Sequence, residues 1–159
     1  MAIRSGAKAI ILRNGKILLN QCHHSDGRIY YDLPGGGQNQ YESLEQAVVR
    51  EVLEETGLTV RVKRFAALAE EIYTDESLRR DYPDYAHCVM HIFLAELTDE
   101  PKQLATEQDY GMDKSIWIPV GEVKCLDEVR PPQLKDSLEM LLESKKPLWL
   151  GTAYVDWRE

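Results

Sequence analysis

The sequence predicts an α/β protein, a mixed β-sheet with helices packed against it, and three observations carry that prediction. Segments of strand-like and helix-like periodicity follow one another as strands, helix, strands, helix, the order that lays helices on a sheet rather than building a bundle or a barrel. Asn14-Gly15, the pair that most favours a two-residue hairpin turn, joins two apolar runs near the start. Ser43 followed by Gln46 opens a helical stretch, and Gly57 closes it.

Taken in order, residues 7–13 and 16–22 form the predicted opening hairpin, and "IYYDL" is a short strand that Pro34 and the glycines end, after which the chain turns sharply. The Ser43 hydroxyl and Gln46 amide can satisfy each other's neighbouring backbone groups, so a helix starts near residue 44 and runs to about Thr56, where Gly57 supplies a left-handed residue. "LTVRVKRFAALAEEIY" and "HCVMHIFLAEL" read as strands, and "TDESLRRDYPDYA" between them as an irregular polar loop facing substrate. "KSIWIPV" is a further strand. A helix is predicted over about 131–144, with Pro in its first turn and Leu134, Leu138, Leu141 and Leu142 on one face. The aromatic tail 145–159, with Trp149, Tyr154 and Trp157, is expected to dock for packing or dimer contacts, and a homodimer is compatible with it.

The 159 residues are expected to form one domain spanning 1–159. No apolar run approaches the roughly 20 residues that a membrane-spanning helix needs, and the broken apolar start does not read as a signal peptide, so the expected location is cytoplasmic. A formal net charge of −8 disfavours gripping nucleic acid through its phosphates alone, yet leaves open phosphate ligands held through a divalent metal. Cys22, Cys88 and Cys125 have no metal-ligand spacing and are expected to be buried thiols.

The residues that call for an explanation are Glu51, Glu54 and Glu55. At 100° per residue they share an arc of about 100° on the first helix, where like charges repel. The apolar stripe Val48, Val49 and Val52 runs beside them and holds them at the edge of the core. Partly buried, the three carboxylates need a positive partner, and a hard divalent cation such as Mg²⁺ or Mn²⁺, which takes oxygen ligands, is a natural one. A solvated glutamate face is the plain alternative for three such residues taken alone.

From Gly36, five residues lead to Glu42 and seven more to Arg50-Glu51, followed by Val52, Leu53, Glu54, Glu55, Thr56, Gly57 and Leu58. This stretch, 36–58, resembles the Nudix (MutT-like) box Gx5Ex7REuxEExGu at every fixed position. "YYDLPGG" is similar to the usual entry into that box, with Tyr31 in place of Trp, and "SIWIPVGEV" is similar to a later strand and short helix of the family. The resemblance implies an α/β/α sandwich and metal-dependent cleavage of a diphosphate linkage by water attack on phosphorus. The substrate would be a small nucleotide such as ADP-ribose, a nucleotide sugar or a nucleoside triphosphate.

By position, the resemblance makes Glu51, Glu54, Glu55 and the Gly36 carbonyl metal ligands, Arg50 an orienting cation and Glu42 its supporting carboxylate. It puts the proton acceptor at Glu51 or at a loop residue, here Glu107, with Asp109 beside it. Arg79 and Arg80 are candidates for substrate phosphates and Tyr31 for stacking on a base, whereas Tyr30 or Tyr31 must face the core. His23 and His24 could line a nucleoside pocket, though surface histidines without a role are commoner; His87 and His91, four apart on a strand, do not form a metal pair. The run Gly37 to Tyr41 departs from the family's frequent acidic-Pro-Gly pattern. Two other readings remain open: a Nudix-fold sensor that binds nucleotide without cleaving it, and an enzyme acting on RNA 5′ ends.

Overall fold

Asn14 and Gly15 both adopt left-handed backbone angles, φ of 52° and 72°, and fold β1 (Arg4–Arg13) back onto β2 (Lys16–His23) as their sequence requires. The structure is a computed structural model that describes residues 3–107 and 111–156; Asp109 and Trp157 lie outside the described residues. β3 (Ile29–Asp32) pairs antiparallel with β2, and β1 continues in parallel register beside β6 (His87–Leu97), which pairs with β5 (Val60–Tyr73). The strand order is β8 (Val129–Arg130), β3, β2, β1, β6, β5, β9 (Leu148–Val155), with β4 (Gly35–Gly37) added to β1 and β7 (Met112–Pro119) to β2. Parallel and antiparallel pairs coexist, as a mixed sheet requires.

Alternation along β1 and β6 sorts their side chains onto two faces. Ala7, Ala9, Ile11, Phe93 and Ala95 pack under Ala47, Val48 and Val52 of α1 (Leu44–Thr56). On the other face Ile10, Ile92, Ala67 and Ala69 pack with Leu134, Leu138 and Leu141 of α2 (Leu134–Glu143), which makes the predicted sandwich. Among the described residues no helix is long and apolar enough to cross a membrane.

Helix α1 keeps its predicted limits because the signals for them are local. Ser43 Oγ accepts from the Gln46 amide, the Gln46 side chain accepts from the Ser43 amide, and Gly57 closes the helix at φ 72°. Four expectations are corrected. The glycine run is not only a turn: Gly35–Gly37 form a strand on β1, with Gly6 opposite Gly37. The polar loop before β6 contains one short helix, Glu76–Asp81, because Asp75 accepts from the Leu78 amide and caps it. The last long helix starts at Leu134, not near 131, since residues 129–130 form the two-residue β8 and the two prolines that follow it precede the helix. The aromatic tail is a strand, β9 (Leu148–Val155), docked by its backbone along β5, while the rings of Trp149 and Tyr154 stay exposed. Of the cysteines, Cys22 and Cys88 are buried as expected and Cys125 is exposed; burial pushes the Cys88 thiol up to about 11.

Candidate active site

Burial of the apolar stripe overrides the repulsion on α1. Val48 and Val52 are fully buried, and burying each contributes roughly 1.5–3 kcal/mol. Like charges one turn apart cost only about 0.2–0.5 kcal/mol. The helix therefore forms, and its carboxylates are left to find partners at the edge of the core.

Arg50 is the first such partner. Its Nε and NH2 donate to the two Glu42 carboxylate oxygens at 2.7 and 2.9 Å, and NH1 donates to Glu51 at 2.8 Å and to Glu54 at 3.0 Å. A further bond from NH2 reaches the Gly37 carbonyl at 2.9 Å. One guanidinium thus ties the start of the helix, its middle and the glycine strand together, which its planar fork of donors permits and a lysine ammonium could not match. Hydrogen bonds from Arg50, and then from the Asn39 amide, hold the Glu42 carboxyl down at about 2. The same Glu42 contacts raise the Arg50 pKa.

Glu55 points the other way. It is buried, and one of its oxygens accepts from Asn20 Nδ2 at 2.8 Å and from the Gly35 amide at 2.9 Å. Asn20 Oδ1 in turn accepts from Ser115 at 2.8 Å, so β2, β7, β4 and α1 meet at this carboxylate. On the opposite side of β4, Lys8 Nζ donates to the carbonyls of Leu33 and Gly35 at 3.1 and 2.7 Å and pairs with Asp32 at 3.0 Å. The glycine turn is thereby held by a cation from β1 and an anion from α1.

The chemistry of these groups fits a hard divalent cation. Glu51, Glu54, Glu55 and the Gly36 carbonyl offer oxygen only, the donor type that Mg²⁺ and Mn²⁺ take. A Cβ added at Gly36 would lie 2.5 Å from a Glu51 oxygen, so only glycine lets the backbone come so close to that carboxylate. Among the described residues no three acidic or imidazole groups already converge on one point. Instead Arg50 holds Glu51 and Glu54, while Asn20 and Gly35 hold Glu55.

A family model described as the NUDIX domain matches residues 3–140. The chain belongs to the Nudix hydrolase family. A putative mutator protein MutT4 from Mycobacterium tuberculosis is 33% identical over 128 residues, 76% of this chain and 47% of that protein. An RNA pyrophosphohydrolase from Zymomonas mobilis is 26% identical over 148 residues, 92% of this chain and 89% of that protein. This chain thus spans about half the length of the first relative and nearly all of the second. Among solved structures, the MutT protein from Bacillus halodurans superposes with a TM-score of 0.69 at 23% identity, covering 97% of this chain and 91% of that one. Identity that low speaks for the fold alone.

Around the Nudix helix α1, the structure brings together Gly36, Glu42, Arg50, Glu51, Glu54 and, through its backbone, Glu107. The amides of Thr106 and Glu107 donate to the Glu54 carbonyl at 2.8 and 3.1 Å, which ties the loop after β6 to the end of the helix. Other candidates are engaged locally. Arg79 donates to the Tyr73 carbonyl, Arg80 pairs with Asp81, and Tyr31 packs half-buried against the core on the α2 side. Tyr30 is the core-facing member of its pair. His24 is buried against Glu128 rather than exposed, His23 pairs with Asp113, His87 with Glu70, and His91 contacts the Gly6 carbonyl.

Sequence reasoning missed Lys8, Asn20 and Gln38. Gln38 donates to the Glu42 carbonyl and accepts from Ser5, so an amide braces the segment where the family's acidic-Pro-Gly pattern is absent. A lysine in an otherwise apolar strand, flanked by Ala7 and Ala9, was the signal available for Lys8.

Proposed function

We propose that the chain is a metal-dependent Nudix pyrophosphohydrolase that cleaves the diphosphate linkage of a nucleoside diphosphate joined to another group, by attack of water on phosphorus. The observation that carries this reading is the Arg50 network, which holds Glu42, Glu51 and Glu54 against the Gly37 carbonyl. Glu51, Glu54, Glu55 and the Gly36 carbonyl would hold Mg²⁺ or Mn²⁺. When bound, the metal would neutralise phosphate oxygens and lower the pKa of water.

The chain's own residues supply position and a proton acceptor. Arg50 fixes the carboxylates, Glu42 fixes Arg50, and Lys8 and Glu55 fix the turn that presents Gly36. Glu51 and Glu107 are the candidates for accepting the proton from water. Glu51 is already paired with Arg50, which weakens it as a base, whereas Glu107 is exposed on a loop tied to Glu54; this favours Glu107.

A panel of ADP-ribose, nucleotide sugars and nucleoside triphosphates, assayed with Mg²⁺ or Mn²⁺, tests the reading. Turnover should require metal and collapse in Glu54→Gln and Glu55→Gln. Binding of nucleotide without cleavage under either metal would sink it. The RNA-end reading has one observation in its favour, the full-length likeness to a protein named RNA pyrophosphohydrolase. Preference for triphosphorylated RNA oligomers over all small nucleotides would establish it instead.

A further inference from the structure

The nine arginines among the described residues divide by what they touch. Arg28, Arg50, Arg61, Arg80 and Arg130 pair with carboxylates, and Arg64 and Arg79 donate to backbone carbonyls. Arg4 and Arg13 have neither kind of partner among the described residues, and each lies over an aromatic ring, Arg4 over Tyr85 at 4.3 Å and Arg13 over Trp117 at 4.3 Å. Arg13 ends β1 at the hairpin, about 30 Å along the strand from Arg4.

Arg4 sits beside the glycine strand. A Cβ added at Gly37 would lie 2.8 Å from its NH2 and 3.1 Å from Cζ, so the guanidinium lies directly over the bare backbone of that residue. Gly37 follows Gly36, whose missing Cβ faces Glu51. Successive residues of a strand point to opposite faces, so Glu51 and Arg4 flank β4, an anion on one side and a cation on the other. β4 pairs with β1 alone, which leaves its other edge unpaired among the described strands. In a protein of net charge −8, with Arg50 consumed by carboxylates, a half-exposed guanidinium oriented by a ring and a glycine is matched to an external anion.

We infer that Arg4, oriented by Tyr85 and Gly37, binds the phosphate beyond the cleaved linkage, and that the substrate class is therefore a nucleoside triphosphate rather than a diphosphate capped by two sugars. The inference rests on the proposed hydrolase reading for its substrate and on Arg4 for its choice among substrates. With the metal held by the carboxylates on one side of β4, a diphosphate between two sugars would end its charge on that side. A third phosphate would extend the charge past Gly37 to the guanidinium, whose forked donors suit it. A neutral sugar there would leave the cation without an anion.

The test compares wild type, Arg4→Gln and Gly37→Ala. Gly37 does not have a positive φ, so alanine is allowed there and its Cβ displaces only the tip of the Arg4 side chain. In wild type, kcat/KM for nucleoside triphosphates should exceed that for ADP-ribose. Both variants should lower the ratio of the two by at least tenfold, about 1.4 kcal/mol, chiefly through KM for the triphosphate. A ratio unchanged within threefold in both variants, or a wild-type preference for ADP-ribose, overturns the inference while leaving the hydrolase reading standing. Calorimetry with inorganic tripolyphosphate and Mg²⁺ separates the two ideas: binding should weaken at least tenfold in Arg4→Gln even if no substrate is turned over. Equal binding by wild type and Arg4→Gln would refute the role of Arg4 whether or not the protein is a hydrolase.

Discussion

Lys8 Nζ donates to the Gly35 carbonyl at 2.7 Å, and the Gly35 amide donates to Glu55 at 2.9 Å, so one peptide-bearing residue is gripped by a buried cation and a buried anion at once. The strand that carries Gly36 is therefore set by charges on β1 and α1, not by the glycines, whose backbone would otherwise be free to wander.

Lys8→Met tests that dependence. Methionine fills a similar volume but leaves the Leu33 and Gly35 carbonyls without this donor and removes the buried ammonium that pairs with the part-buried Asp32. Loss of one member of such a pair costs about 3 kcal/mol, to be read from urea unfolding. Manganese affinity, measured by electron paramagnetic resonance, should fall as well. Stability within 1 kcal/mol of wild type, as an order-of-magnitude margin, would show that the clamp contributes little.

Arg50 separates charge from geometry. Its five contacts reach Glu42 twice, Glu51, Glu54 and the Gly37 carbonyl. Arg50→Lys keeps the charge and loses the fork, and Arg50→Gln loses both. If position matters most, both variants drop kcat/KM by about 100-fold with unchanged circular dichroism. Recovery of near wild-type turnover in the lysine variant would mean that a point charge suffices.

Features written within a few residues of one another were legible in the sequence. Ser43 with Gln46, Asn14 with Gly15, and Gly57 each settle their own neighbourhood, and helical spacing brings Glu51 and Glu54 together on Arg50, whereas Glu55 turns to Asn20 and Gly35. What stayed hidden depends on strand register. Lys8 meets Asp32 across 24 residues and Asn20 meets Glu55 across 35, and nothing local announces either pair. The glycine strand was hidden for the same reason, since its partner is β1 rather than a neighbour in sequence. The tail docks as expected, but by its backbone along β5 rather than by packing of its rings, since Trp149 and Tyr154 stay exposed and strand pairing with β5 has no local signal.

Gly57 couples helix stability to the loop that carries Glu107. It sits at φ 72°, and an added Cβ would lie 2.0 Å from the Gln103 carbonyl oxygen. Gly57→Ala should therefore cost more than about 1 kcal/mol. Hydrogen exchange at the Thr106 and Glu107 amides should quicken, because both donate to the Glu54 carbonyl one turn away. Unaltered exchange at those two amides would show that the loop is held independently of the helix end.

Glu71 gives the fold a pH dependence of its own. It is buried on β5, and loss of water raises its pKa above the usual 4.5 despite Arg130 and Lys8 nearby, with Asp32 pushing the same way as burial. With a folded pKa above the unfolded one, the native state keeps its proton after the unfolded chain has released it. The contribution to stability is thus fully present below about pH 4.5 and is lost as pH rises through the folded pKa. Glu71→Gln stays neutral throughout and removes the effect, while its amide can still accept from the Tyr73 hydroxyl that now donates to Glu71 at 3.3 Å. Melting temperatures of wild type and Glu71→Gln, followed from pH 4 to pH 8 in about 0.5-unit steps, should therefore diverge, wild type losing ground as pH rises. Parallel curves over that range would mean that Arg130 and Lys8 offset the burial of the carboxylate in full.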